Sequence, residues 1–183
     1  MLPLKVLVST CSHLRLSSHQ VMASNGSGQL FYRPVYLFAH RNPSAATDLL
    51  AITAKFESSS SSNTIELSPM HYIPICTSGC DDVSLSMGGA HWKNKFAKDV
   101  RLGDIIMMKA SFSNLALQQG SVMRMAKVEY ISRKKAIGLF SPLIRGANIV
   151  IDGIVASPHA NSPRLNPLAK FLIGVTGGQV SEG

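Results

Sequence analysis

Hydrophobic and polar positions alternate in short blocks along this chain. Apolar and β-branched runs of roughly four to eight residues recur between Gly, Pro, Asn and Ser, a pattern typical of β-proteins. Longer amphipathic helical patterns are hard to place anywhere. We therefore predict an all-β fold of short strands, with candidate strands at residues 31–38, 49–56, 64–67, 72–75, 105–109, 122–132 and 148–156.

Turn-forming residues predict how these strands are joined. Asp152 and Gly153 lie between two apolar runs and are typical of a two-residue hairpin turn. The serine-rich residues 58–63 predict a loop at a hairpin tip. Pro34 donates no ladder hydrogen bond, so its strand is expected at a sheet edge or a bulge. The basic residues 133–135 predict a solvated turn between two strands.

Length and composition favour one folded domain. The chain has 183 residues, of which 45% are hydrophobic and 15% charged, a balance that fits a globule with a sizeable core. No apolar run approaches the roughly 18 to 20 residues that a membrane span needs. The formal charge is +8, but the basic residues are scattered and no nucleic-acid-binding motif is present. We therefore predict neither a transmembrane segment nor a nucleic-acid partner.

Four sequence segments follow one another in a particular order, and this order indicates a protein family more specifically than any single segment does. The first ends in a hydroxyl-x-x-His motif formed by Ser68 and His71. The segments are residues 65–71, 96–104, 138–143 and 150–157, and residues 28–43 extend the match upstream. This chain resembles the Hint domain of hedgehog-type autoprocessing proteins, which are relatives of inteins. The resemblance implies a compact Hint fold at residues 21–160, between an unmatched segment, 1–20, and a C-terminal tail, 161–183.

The resemblance implies a reaction that acts once on its own chain. In this family a cysteine at the first residue of the domain attacks the preceding carbonyl and converts a peptide bond into a thioester. A second nucleophile, which is a sterol in hedgehog proteins and a side chain or water in relatives, then releases the upstream segment. Ser68 stands where the family has Thr and keeps its hydroxyl donor. His71 would shuttle protons, because the ordinary pKa of histidine lies near neutrality.

Three departures from the family pattern bear on activity. His40 stands where hedgehog proteins carry the aspartate that activates the sterol hydroxyl; it could act as a base without the negative charge. Pro158 and His159 follow Ser157 in place of the second cysteine. Cys11 lies too close to the first matched strand to be the expected nucleophile. Either the catalytic cysteine precedes this sequence, or this copy has lost self-cleavage.

The partners follow from the same resemblance. We expect the domain to act on its own upstream segment as a monomer, with a sterol or another small nucleophile and without a cofactor. Residues 164–172 could contact a sterol or a membrane. The compartment is not readable from the sequence, and secretion is expected only if the whole protein resembles hedgehog proteins.

Two other interpretations are open. Cys76, Cys80 and His91, with His71 nearby, could form a zinc site, although no second closely spaced pair completes it. Three cysteines leave one unpaired in any disulfide scheme, which argues against a disulfide scaffold. Alternatively, the chain is a non-catalytic β-domain that keeps the Hint scaffold for a binding or structural role.

Overall fold

The computed structural model describes residues 20–111 and 121–159. Its strands are β1 Gln20–Ser24, β2 Leu30–Pro34, β3 Leu37–Lys55, β4 Ser62–Leu67, β5 Tyr72–Ser78, β6 His91–Phe96, β7 Ile105–Ser111, β8 Ser121–Leu143, β9 Asn148–Ile151 and β10 Ile154–Ala156. A short helix, α1 Asp82–Ser86, and a one-turn 3-10 helix, Ala97–Asp99, flank β6. The all-β prediction is confirmed. No helix in these two stretches is long and apolar enough to cross a membrane.

Eight strands form one sheet, in the order β2-β1-β9-β10-β7-β8-β3-β4, and β5 pairs with β6 in a second small sheet. Apolar side chains from both sheets meet in one core, which includes Ile52, Ile65, Ile73, Ile106 and Ile154. The second sheet therefore covers a face of the first, and β5 is fixed against it by buried isoleucines.

Local turn chemistry accounts for several connections. Asp152 and Gly153 both have positive φ, of 48° and 82°, as a type I′ turn requires, and they join β9 to β10. β3 and β4 form an antiparallel hairpin with residues 58–61 of the serine-rich segment at its tip, whereas Ser62 and Asn63 already pair within β4. Pro34 ends β2 at the edge of the large sheet. The predicted hairpin turn and the edge position are confirmed, and the predicted loop is confirmed except for its last two residues.

The sequence prediction of a turn at residues 133–135 is wrong. These basic residues lie within β8, which continues to Leu143 and pairs with β3. Lys134 forms an ion pair with Glu66 of β4 at 2.6 Å, and Lys135 lies opposite Asp48 in the ladder. Acidic residues of neighbouring strands thus accommodate the basic run, so it continues as an exposed strand segment.

β3 also differs from the predicted pattern. It begins at Leu37 and continues to Lys55, joining parts of two predicted strands. Its ladder with β8 is interrupted by irregularities after Phe38, Asn42 and Thr53. Irregularities of this kind bend a strand locally and increase its twist.

Candidate functional site

A tight turn between β4 and β5 carries the hydroxyl-x-x-His motif. The backbone N–H of His71 donates to the carbonyl of Ser68 at 3.0 Å, and Pro69 occupies the position that favours proline in such a turn. The 3-10 helix holds this turn from outside. Ala97 N–H donates to the His71 carbonyl at 2.8 Å, and Lys98 N–H donates to the Pro69 carbonyl at 3.0 Å. The backbone of His71 is therefore fixed on both sides.

The end of β10 meets the same turn from a distant part of the chain. Ser157 is buried, and its N–H donates to the carbonyl of Tyr72 at 3.0 Å. Its own carbonyl lies 2.7 Å from Nε2 of His71. The bond between His71 and Ser157 joins residues separated by 86 positions in the sequence.

The contact with Ser157 determines which imidazole nitrogen of His71 carries a proton. A carbonyl oxygen only accepts hydrogen bonds, so Nε2 must be the donor. In the uncharged ring Nδ1 then carries a lone pair. The turn therefore presents Nδ1 as the atom that can take up or deliver a proton.

The surroundings favour the uncharged form of this ring. Burial lowers the pKa of His71, the hydrogen bond to the Ser157 carbonyl partly opposes that effect, and the charge of His159 lowers the pKa further. Burial also lowers the pKa of His159. Since the ordinary value is about 6.5, both rings are mainly uncharged at neutral pH. An uncharged His71 can act first as a base and then, once protonated, as an acid.

Ser68 supplies a hydroxyl in the same turn. The residue is partly buried, and its hydroxyl forms no hydrogen bond with any residue that the structure describes. Its side chain is therefore available to a ligand group. Whether it contacts a scissile carbonyl stays a prediction.

The structure does not join His40 to this pair. His40 lies in β3 opposite Ser141, at the first irregularity of the ladder with β8. It is partly buried, and no hydrogen bond or ion pair links it to Ser68 or His71 in the described structure. Its role as a base for the second nucleophile stays a prediction.

The cysteines argue against the zinc interpretation. Cys76 and Cys80 are joined in a disulfide, so neither thiolate is free for a metal, and His91 is exposed on β6. Within residues 20–111 and 121–159, no group of three His, Cys, Asp or Glu residues could hold a metal ion. Cys11 and residues 164–172 lie outside the described residues.

His159 belongs to the same neighbourhood but was not among the predicted site residues. Its backbone N–H donates to the hydroxyl of Ser157 at 3.1 Å, and a positive charge on its ring would lower the pKa of His71. The sequence did contain a signal, because His159 follows directly after the segment that matches the end of the family pattern. Its proximity to His71 depends on a long-range contact that spacing does not reveal.

Comparisons with known proteins agree with this architecture. A family model described as "Hint module" matches residues 10–170. Protein qua-1 of Caenorhabditis elegans is 21% identical over 148 residues, which are 79% of this chain but 12% of that protein. The chain thus spans only a small part of that relative.

Solved inteins share the fold at low sequence identity. An intein from a hyperthermophile superposes with a TM-score of 0.55 at 16% identity, covering 85% of this chain and 88% of that one. The transcription factor IIB Mvu mini-intein superposes with a TM-score of 0.53 at 12% identity, covering 84% and 85%. The family match, supported by this shared fold, shows that the chain belongs to the Hint family of hedgehog and intein autoprocessing domains.

Proposed function

We propose that this domain performs hedgehog/intein-type autoprocessing, in which an intramolecular acyl shift leads to cleavage of an upstream segment. The observation that carries the proposal is the hydrogen bond from His71 Nε2 to the Ser157 carbonyl. It orients one imidazole, fixes its tautomer and leaves Nδ1 for proton transfer. A proton shuttle on a rigid turn is what amide cleavage by a thiol requires.

The shuttle works in two directions. A cysteine at the start of the domain attacks the preceding carbonyl carbon, and its thiol proton passes to His71 Nδ1 as the C–S bond forms. The imidazolium then returns that proton to the amide nitrogen as the C–N bond breaks. A thioester and a free amine result, and His71 is neutral again. The lowered pKa of His71 supports this sequence because the resting ring is ready to accept the thiol proton.

Ser68 would stabilise the charge that develops on the carbonyl oxygen. Its hydroxyl has no partner among the described residues and lies in the same turn as the His71 backbone. Donors aimed at such an oxyanion typically contribute about 10²- to 10³-fold in rate. We therefore assign Ser68 as the polarising donor and His71 as the acid and base.

The second step takes the acyl group from sulfur to a small nucleophile. The family's second cysteine is replaced by Pro158 and His159, so transfer between two domain cysteines does not fit this chain. Water, or a hydroxyl compound such as a sterol activated by His40, completes the release of the upstream segment. The proposed domain acts as a monomer on its own chain and needs no cofactor.

Intact-mass spectrometry on the longest native polypeptide that contains this domain tests the proposal. Hydroxylamine is the preferred trapping nucleophile, because it cleaves thioesters without reducing the bond between Cys76 and Cys80. We expect two fragments whose masses place the cut directly before a cysteine. His71→Ala should abolish cleavage, and Ser68→Ala should slow it by about 10²- to 10³-fold.

His91→Ala is the matched control, because His91 is an exposed histidine on β6 and its imidazole forms no hydrogen bond with the part of the chain that the structure describes. This variant should cleave like the parent. If the parent remains intact with hydroxylamine while its fold is normal, the autoprocessing proposal is wrong.

A non-catalytic role on the Hint scaffold is the second candidate. The observation that favours it is the position of His40, which replaces the family aspartate and has no link to His71. An intact, folded parent in the hydroxylamine experiment would support this role.

A further inference from the structure

The turn between β1 and β2 carries the acceptor sequence for asparagine-linked glycans. Residues 25–27 read Asn-Gly-Ser, which is the only Asn-x-Ser/Thr sequence in the chain whose middle residue is not proline. Residues 42–44 read Asn-Pro-Ser, and their central proline excludes them. Since so short a sequence also occurs by chance, the surroundings of Asn25 decide whether it can carry a glycan.

The turn is open to solvent where a glycan would be attached. Gly26 at its tip is exposed, and empty space lies where a Cβ on this residue would point. Asn25 is partly buried, but its side-chain amide meets the side chain of Gln29 at the exposed surface. The space beside this amide therefore accommodates a bulky, hydrated group.

The amide of Asn25 can take a sugar and keep its role in the turn. Its Oδ1 accepts from the N–H and the hydroxyl of Ser27, at 3.2 and 3.0 Å, and from the N–H of Gln29 at 2.9 Å. Its Nδ2 donates one hydrogen to Oε1 of Gln29, and the other has no partner within residues 20–111 and 121–159. A glycan replaces one Nδ2 hydrogen and leaves Oδ1 an acceptor. The three bonds to Oδ1 therefore persist, and the exposed Gln29 side chain can follow the amide.

The disulfide between Cys76 and Cys80 indicates a compartment in which this modification occurs. Disulfides form and persist in oxidising environments such as the lumen of the secretory pathway, and they are rare in the cytosol. A glycosylated Asn-x-Ser sequence likewise belongs to the surface of a secreted protein. The two features lie on different elements, the β1–β2 turn and the end of β5, so they are independent indications of the same compartment.

We propose that Asn25 is a glycosylation site whose Nδ2 carries an oligosaccharide. The donor is an oligosaccharide linked to a polyprenyl pyrophosphate. Nδ2 forms a bond to the anomeric carbon of the sugar, and the bond from that carbon to the pyrophosphate oxygen breaks. The polyprenyl pyrophosphate leaves with the electron pair, and a base of the transferase takes the amide proton. This assignment is independent of the proposed autoprocessing.

Peptide mapping tests the assignment on the longest native polypeptide that contains this domain, expressed in the organism it comes from. Peptide-N-glycosidase in heavy-oxygen water removes an asparagine-linked glycan and leaves a mass-labelled aspartate at the attachment site. We expect the label at Asn25 and not at Asn42. Asn25→Gln and Ser27→Ala should abolish it, whereas Ser27→Thr keeps the hydroxyl and should retain it. Asn42→Gln is the matched control and should leave the glycan in place.

An unlabelled Asn25 in the folded parent would overturn the proposal. If the bond between Cys76 and Cys80 is formed in that protein, the chain reaches an oxidising compartment without being modified; if both cysteines are reduced, it never reaches the transferase. A glycan that survives Ser27→Ala would also contradict the assignment. Ser27→Ala keeps the Asn25 amide, and circular dichroism of this variant separates a lost acceptor sequence from a lost fold. None of these readouts requires cleavage, so failure of the proposed function is seen separately in the hydroxylamine experiment.

Discussion

The hairpin turn that delivers β10 to the site should be intolerant of a methyl group at Gly153. Gly153 has φ of +82°, and its carbonyl accepts from the N–H of Lys109 at 2.7 Å. A Cβ added there would collide with the side-chain amide of Asn63 in β4. Gly153→Ala therefore combines an unfavourable backbone conformation with a steric overlap.

The two costs can be separated with a matched glycine. Gly146 has φ of +68° and open space where its Cβ would lie, so Gly146→Ala carries the conformational cost alone. That cost is about 1 to 2 kcal/mol. Overpacking in a core costs about 1 to 3 kcal/mol, but here the contact is with the terminal amide of a flexible side chain that can move aside, so the overpacking cost should lie at or below the low end of that range. We expect the free energy of unfolding of Gly153→Ala to be lower than that of Gly146→Ala by the overpacking amount.

Urea unfolding followed by circular dichroism measures both variants. Asn63→Ala in the Gly153→Ala background should recover the excess loss, and a double-mutant cycle isolates that coupling from the effect of Asn63→Ala alone. Equal losses in Gly146→Ala and Gly153→Ala would refute the reasoning, because they would show that β4 does not crowd the β9–β10 turn. If the double-mutant cycle shows no coupling between Gly153→Ala and Asn63→Ala, the extra loss of unfolding free energy is caused by a residue other than Asn63.

Three further predictions concern stability. Burial lowers the pKa of His71 and of His159, so the unfolded chain binds protons more readily than the folded domain. The free energy of unfolding should therefore be highest above about pH 6.5 and decrease as the pH falls below that value. Urea titrations across this pH range measure the decrease. His71→Gln should flatten that dependence, and an unchanged slope would contradict it. Reduction of the Cys76–Cys80 disulfide, whose cysteines are 4 positions apart, should lower the free energy of unfolding by about 2 kcal/mol. Urea unfolding with and without reductant measures this difference. An unchanged free energy of unfolding would mean that the disulfide does not stabilise the folded domain. Lys134→Ala removes the exposed ion pair with Glu66 and should cost only about 0.2 to 1 kcal/mol in the same urea assay, so a larger loss would mean that Lys134 also packs.

Local signals in the sequence predicted much of the fold. Asp152 and Gly153 predicted a hairpin because type I′ geometry requires positive φ at both central positions. Pro34 predicted an edge because it cannot donate to a second neighbour. Each of these signals depends on the conformational limits of one or two residues, so it can be read without knowing the partner strand.

Features that depend on distant partners could not be predicted in the same way. The three basic residues of β8 predict a turn when they are considered alone. They continue a strand because Glu66, which belongs to another strand, pairs with Lys134. The sequence does not indicate His159 as a site residue, because His159 comes near the turn of His71 only after β10 packs beside β5. The motif of Ser68 and His71 was identified from the family resemblance, whereas the bond to Ser157 required the structure.

The tautomer of His71 is the property on which the proposed chemistry depends most directly. Long-range proton–nitrogen NMR correlations in the isotopically labelled domain distinguish Nε2–H from Nδ1–H near neutral pH. The hydrogen bond to the Ser157 carbonyl predicts a single, uncharged ring with its proton on Nε2. A ring protonated on Nδ1, or one that averages between both tautomers, would contradict the assignment of Nδ1 as the proton-transferring atom.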